Sequence, residues 1–159
     1  MIELQLQVAT CSTEYPDEKV MQSWLNHIDK NADDKSVGIR IVDTEESADL
    51  NSQFRHKQGA TNVLSFPFES PFLPDDSDED DDEFLEDFLG DLVICAPIVK
   101  TEAEAQGKAL DAHWAHMIVH GVLHLKGYDH VKQADAEEME ALERTILANI
   151  GFPDPYIEI

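Results

Sequence analysis

Three imidazoles at the spacing H-x3-H-x5-H stand in the run His120-Gly121-Val122-Leu123-His124-Leu125-Lys126-Gly127-Tyr128-Asp129-His130. On a helix, residues four apart project from one face with neighbouring Cβ atoms, so His120 and His124 present their rings together. Gly127 suits the left-handed conformation that ends a helix and turns the chain back, which returns His130 toward the other two. Three neutral nitrogens converging on one point, with a fourth position left for water, is the geometry of a catalytic zinc site. Another divalent metal would fit the same donors. Metal-assisted hydrolysis is the chemistry this spacing suggests.

The helix that carries the first two histidines supports that expectation. At about 100 degrees per residue, His113, His116 and His124 all fall within roughly 40 degrees of His120. The rest of the surface, through Trp114, Ala115, Met117, Ile118, Val119, Val122, Leu123 and Leu125, is apolar nearly all round. Such a helix is buried, and its one polar stripe needs partners. A metal would be such a partner; carbonyl-bonded core histidines are the plainer explanation. His113 and His116 lack a return turn to complete a second site, so they are read as packing, supporting or cleft residues rather than ligands.

The spacing matches the long metzincin pattern H-E-x-x-H-x-x-G-x-x-H except at one position. A zinc peptidase uses the Glu after the first His as general base. Here Gly121 occupies that place, so the usual peptidase proton carrier is missing.

The chain resembles the YbeY-type endoribonucleases, metal-dependent enzymes of bacterial ribosomal RNA maturation. The resemblance extends well beyond the histidines. It includes Asn51-Ser52-Gln53-Phe54-Arg55-His56-Lys57, Thr61-Asn62-Val63-Leu64-Ser65-Phe66-Pro67-Phe68 and Leu89-Gly90-Asp91-Leu92-Val93-Ile94-Cys95. His113-Trp114-Ala115-His116-Met117, the run into His130 and the closing Asp154-Pro155-Tyr156 follow in family order. The resemblance implies that His120, His124 and His130 are zinc ligands and that Arg55 is the basic residue facing the metal cleft. It implies single-stranded ribosomal RNA as substrate, with cleavage in 3′-end maturation of the small subunit and in ribosome quality control. The ribosome or small-subunit proteins are the implied partners.

A phosphodiester under attack gathers charge on its nonbridging oxygens, and a guanidinium fork is suited to clamp them. Arg55 lies after a predicted helix and before a strand, beside His56 and Lys57. A charged residue there also serves as a helix-end dipole partner. Lys57 offers a further phosphate contact; His56 has no assigned role. Asp129 either orients a ligating imidazole or caps the turn.

The elements that must position these groups follow from periodicity. Residues 2–8 alternate, with Ile2, Leu4, Leu6 and Val8 on one face of a half-buried strand. Val20, Met21, Trp24, Leu25 and Ile28 form a helical stripe. Val37 to Val42 is a second strand, after which Asp43 and Thr44 offer a cap for a helix to about Phe54. Val63 to Phe66 is a brief strand stopped by Pro67, and Asp91 to Cys95 another. Helices then run from Pro97 to about Gln106, through the histidines to about Lys126, and from about Gln133 to Asn149 with Met139, Leu142 and Ile146. The expected fold is α+β: one domain over residues 1–159, a small mixed sheet packed against helices, with a zincin-like buried histidine helix.

At 159 residues the chain is long enough for a real core. Its start alternates instead of forming a signal peptide, and no apolar run spans a membrane. Cys11 and Cys95 form no C-x-x-C pair and read as reduced thiols of a cytoplasmic protein. The tract Asp75–Glu83 is densely acidic and reads as a mobile, solvated loop within about 75–87: a plain insertion, a contact for a basic ribosomal protein, or a device that keeps nonspecific RNA out of the cleft. The formal net charge is -23, unusual for a protein that binds phosphates. Without the ten acids of residues 75–87, 24 acids still face 11 bases, leaving -13. Arg55, Lys57, Lys126 and the ion's own charge would have to make a local positive cleft on an acidic body. Two other functions fit the residues: a ribosome-assembly factor whose metal staples the fold, and a metal-dependent hydrolase of another ester or amide.

Overall fold

The computed structural model describes residues 2–28, 35–55, 58–67, 88–125 and 133–152, with side chains for all but Arg55, Pro67, Phe88 and residues 133–135. Among these residues the elements run β1 (Ile2–Val8), α1 (Glu18–Ile28), β2 (Lys35–Val42), α2 (Thr44–Arg55) and β3 (Val63–Pro67). They continue with β4 (Phe88–Cys95), α3 (Ala96–Gln106), α4 (Leu110–Leu125) and α5 (Gln133–Ile150). The strands form one mixed sheet in the order β1-β2-β4-β3. β1 and β4 each run parallel to β2, and β3 lies antiparallel on the edge beside β4. A parallel pair needs a crossover, which α1 supplies between β1 and β2. The α+β architecture expected from the sequence is the one observed.

Local chemistry explains most element ends. The Asp17 carboxylate accepts the Val20 N–H at 2.9 Å and caps α1. That helix buries Met21, Trp24, Leu25 and Ile28, while Val20, expected in the stripe, sits at its exposed rim. Asp43 differs from its expected role. Its carboxylate accepts from the Thr10 hydroxyl and from the Cys11 N–H (3.1 Å), tying the segment after β1 to the end of β2. Those hydrogen bonds hold the Asp43 carboxyl below its ordinary pKa. α5 closes with the Phe152 N–H donating to the Leu147 carbonyl at 2.8 Å, and the Phe152 ring packs edge-on against Trp24 at 5.7 Å.

The sheet divides two unequal cores. On one face Ile2, Leu4, Val37, Ile39, Ile41, Leu92 and Ile94 pack against apolar residues of α1, α4 and α5, including Trp24, Trp114, Ile118 and Leu147. On the other, Val42, Leu64, Val93 and Cys95 meet Leu50 of α2 and Ile98 of α3. Burial raises the Cys95 thiol above its usual pKa, and neither Cys11 nor Cys95 is in a disulfide. No helix among the described residues is long and apolar enough to cross a membrane.

Two glycines decide how the sheet receives α4. Ser36 pairs with Phe88 but Val37 with Gly90, so Leu89 is an extra residue in β4. Gly90 has φ 138°, a conformation side chains resist, and it absorbs this bulge. Gly121 faces the sheet. A Cβ there would lie 2.6 Å from Leu92 Cδ2 and 3.0 Å from Cδ1. Its missing side chain lets α4 lie flat on β4.

Candidate metal centre

α4 buries Trp114, Ala115, Met117, Ile118, Val119, Val122, Leu123 and Leu125, as its apolar girth predicts. The histidines form one row along the remaining stripe. Successive ring centroids are 6.2 Å apart from His113 to His116, 6.1 Å to His120 and 4.7 Å to His124. The row climbs out of the core: the side chain of His113 is 3 % exposed, His116 12 % and His120 26 %. The pair expected to share an ion, His120 and His124, is thus the closest pair and stands at the open end.

Two carboxylates from other helices meet the row. Glu102 of α3 lies 3.0 Å from His113 Nε2, and the Asn62 amide donates to the same carboxylate at 3.1 and 3.3 Å. His113 Nδ1 is buried with no hydrogen-bond partner among the described residues, as suits a neutral ring that donates through Nε2. Burial holds the His113 pKa below its ordinary value, against the opposing pull of Glu102. Glu143 of α5 is fully buried. Its Oε1 meets His120 Nδ1 and its Oε2 lies 3.3 Å from His116 Nε2.

One nitrogen each from His116 and His120 and an oxygen of Glu143 lie within 4.8 Å of one another, close enough to hold an ion. The donors suit a borderline divalent metal: imidazoles backed by a carboxylate that orients them. Glu143 escaped the sequence reading. The available signal was a single acid four residues after Met139 and three before Ile146, on the inward stripe of α5.

Arg55 is the last residue of α2; its side chain lies outside the described residues, as do His56, Lys57, Lys126, Asp129, His130 and the acidic tract. From Gly59 onward the chain is tied back to α2. The Asn51 amide donates to the Gly59 carbonyl at 2.9 Å. The Ser47 hydroxyl donates to the Thr61 carbonyl at 2.8 Å and accepts the Thr61 N–H at 3.0 Å. Asn51, Thr61 and Asn62, all within the motifs that carry the family resemblance, therefore secure the loop joining α2 to β3. Two other bases are engaged elsewhere: Arg40 with both oxygens of Glu46 (2.5 and 2.9 Å) and Lys100 with Glu14 (2.6 Å).

The family profile described as Endoribonuclease YbeY matches residues 5–151. The Endoribonuclease YbeY of Pseudomonas savastanoi pv. phaseolicola (strain 1448A / Race 6) is 50% identical over 159 residues, covering 99% of this chain and 90% of that protein. The Endoribonuclease YbeY of Stutzerimonas stutzeri (strain A1501) is 51% identical over 160 residues, covering 99% and 93%. Among solved structures, the solution structure of TM1509 from Thermotoga maritima superposes with a TM-score of 0.62 at 23% identity, covering 92% of this chain and 89% of that one. That likeness concerns the fold.

Proposed function

Because the chain belongs to the YbeY endoribonuclease family, we propose that it is a zinc-dependent endoribonuclease acting on single-stranded RNA. Its task is 3′-end maturation of small-subunit ribosomal RNA and ribosome quality control, performed in the cytoplasm beside the ribosome or its small-subunit proteins. Residues 1–159 act as one domain. The observation that carries this reading is the adjacent pair His120 and His124, at the open end of an otherwise buried helix, in a chain half identical to proteins named for this activity.

His120, His124 and His130 hold the ion. When bound, it supplies Lewis acidity to a phosphoryl oxygen or to water. Arg55 would stabilise charge on the nonbridging oxygens of the phosphate. Asn51 and Ser47 of α2 hold Gly59 and Thr61. The attacking group is water or the neighbouring 2′-hydroxyl, and the product ends distinguish them: a cyclic phosphate marks the hydroxyl. Peptide hydrolysis finds no support at position 121, where a Glu side chain would start toward Leu92 in the core instead of toward the imidazoles.

The test is His120→Ala in protein loaded with zinc. Loss of cleavage of single-stranded RNA, with folding and ribosome association intact, is the expected result. Full cleavage by the variant, or by wild type stripped with a chelator, would refute the catalytic ion. Retained ribosome function without any cleavage by wild type would favour an assembly factor with a structural metal.

A further inference from the structure

Among the described residues, Glu143 is the one carboxylate-bearing residue in the buried class, and it lies between two imidazoles of α4. We propose that Glu143 is a positioning residue that fixes His120 in the Nδ1–H tautomer, so that the Nε2 lone pair is the one offered beside His124 to a divalent cation. This inference rests on reading His120 and His124 as metal ligands.

An ionised carboxylate can only accept hydrogen bonds. With Glu143 ionised, each ring nitrogen that meets it carries a proton: Nδ1 of His120 and Nε2 of His116. A neutral imidazole has only one such proton, so His120 is left with its lone pair on Nε2, at the far side of the ring from Glu143. The contact also sets where the ring points, because Glu143 sits in the interface between α4 and α5 and has no solvent-facing alternative. Carboxylates placed behind ligating histidines raise ligand basicity, and their loss typically weakens metal affinity about 10–100-fold.

Glu143 as a direct ligand, grouped with His116 and His120, is the competing arrangement. The gradient of exposure disfavours that role: His116 is 12 % and Glu143 0 % exposed, whereas a catalytic zinc keeps a position open to water or substrate. The two arrangements predict different sizes of effect.

The experiment uses the full chain and zinc alone, titrated in competition with a chromophoric chelator. It compares wild type with Glu143→Gln and His120→Ala. Nitrogen-15 spectra of the histidine rings in metal-free wild type report the tautomer without any substitution. Expected are an Nδ1–H tautomer for His120, a loss of zinc affinity of about 10–100-fold in Glu143→Gln, and a larger loss in His120→Ala. The near-isosteric Gln should also leave His120 in a mixture of tautomers, because its amide accepts through one atom and donates through the other.

Wild-type zinc affinity in Glu143→Gln alongside a loss in His120→Ala would overturn the positioning role alone. A loss in Glu143→Gln as large as that in His120→Ala would make Glu143 a ligand and overturn it too. An Nε2–H tautomer in metal-free wild type would overturn it even if the variant failed to fold. Unchanged affinity in His120→Ala would remove the ligand reading and this inference with it.

Discussion

Gly121→Ala should destabilise this protein although it replaces a helical glycine with the best helix former. Propensity favours the change by about 1 kcal/mol. Packing opposes it. The new Cβ would stand 2.6 Å from Leu92 Cδ2, 3.0 Å from Cδ1 and 3.3 Å from Cγ, whereas carbon atoms settle about 3.5–4.0 Å apart. Leu92 is fully buried and cannot swing into solvent. Either its rotamer or the seat of α4 on β4 must give, at about 1–3 kcal/mol for overpacking a core. With three carbons of a fully buried Leu92 crowded, the upper part of that range applies, about 2–3 kcal/mol, so packing prevails and the net loss is about 1–2 kcal/mol. In a chain of this length that lowers Tm by about 2–4 °C per kcal/mol. Urea denaturation of metal-free protein measures it, and a double-mutant cycle isolates the cause. Leu92→Ala alone costs about 2–5 kcal/mol, but in that background the Cβ at position 121 fills vacated space and the helical gain should emerge. A Gly121→Ala protein as stable as wild type, or a penalty unchanged by Leu92→Ala, would refute the steric argument.

Further expectations concern titration, thiols and RNA. The His113 ring, held by burial below its ordinary value of 6.5, stays neutral in the folded protein while the unfolded chain takes up a proton. Its contribution is therefore fully present above pH 6.5 and is lost as pH falls toward the lowered folded pKa. Urea midpoints should decline more steeply from about pH 7.5 to about 5 in wild type than in His113→Gln, and equal slopes would contradict this. Glu102→Ala should push the His113 pKa lower still, since Glu102 opposes the shift; a rise seen by NMR titration would be inconsistent. Cys11 is exposed and Cys95 buried with a raised pKa, so a thiol reagent should label Cys11 quickly and Cys95 only on unfolding. Simultaneous labelling of both in native protein would argue against the packing beneath α2. Finally, if Arg55, Lys57 and Lys126 are the main phosphate contacts, binding of naked single-stranded RNA should change with salt at a slope of only about -2. A slope steeper than about -4 would reveal a broader basic face.

How much of this was legible in the chain depends on the range of the interaction concerned. β1 spans residues 2–8 as its alternation predicts, because one half-buried face dictates a period of two. Val8, at the strand end, nonetheless stays 47 % exposed. The α3 boundary at Gln106 and the buried girth of α4 were likewise local signals. β4 begins at Phe88, earlier than the expected Asp91, because the extra residue at Leu89 breaks the alternation that marks a strand. The parallel order of the sheet and the approach of α5 to α4 are long-range facts, and Glu143 falls in that class. Within α5 it looks like one more acid in an acidic chain. Only the docking of α5 onto α4 makes it a buried partner of His116 and His120. In the sequence Gly121 marks only the absence of a general base; its role against Leu92 depends on the sheet.

Among the described residues α4 runs to Leu125, one residue past His124. Sixteen residues' worth of aligned peptide dipoles point their negative pole toward the side of the outermost rings. A cation resting there gains roughly 0.3–1 kcal/mol from the backbone, and an anion loses a comparable amount. A phosphate approaching that pole meets a weak backbone repulsion, which a bound cation would offset.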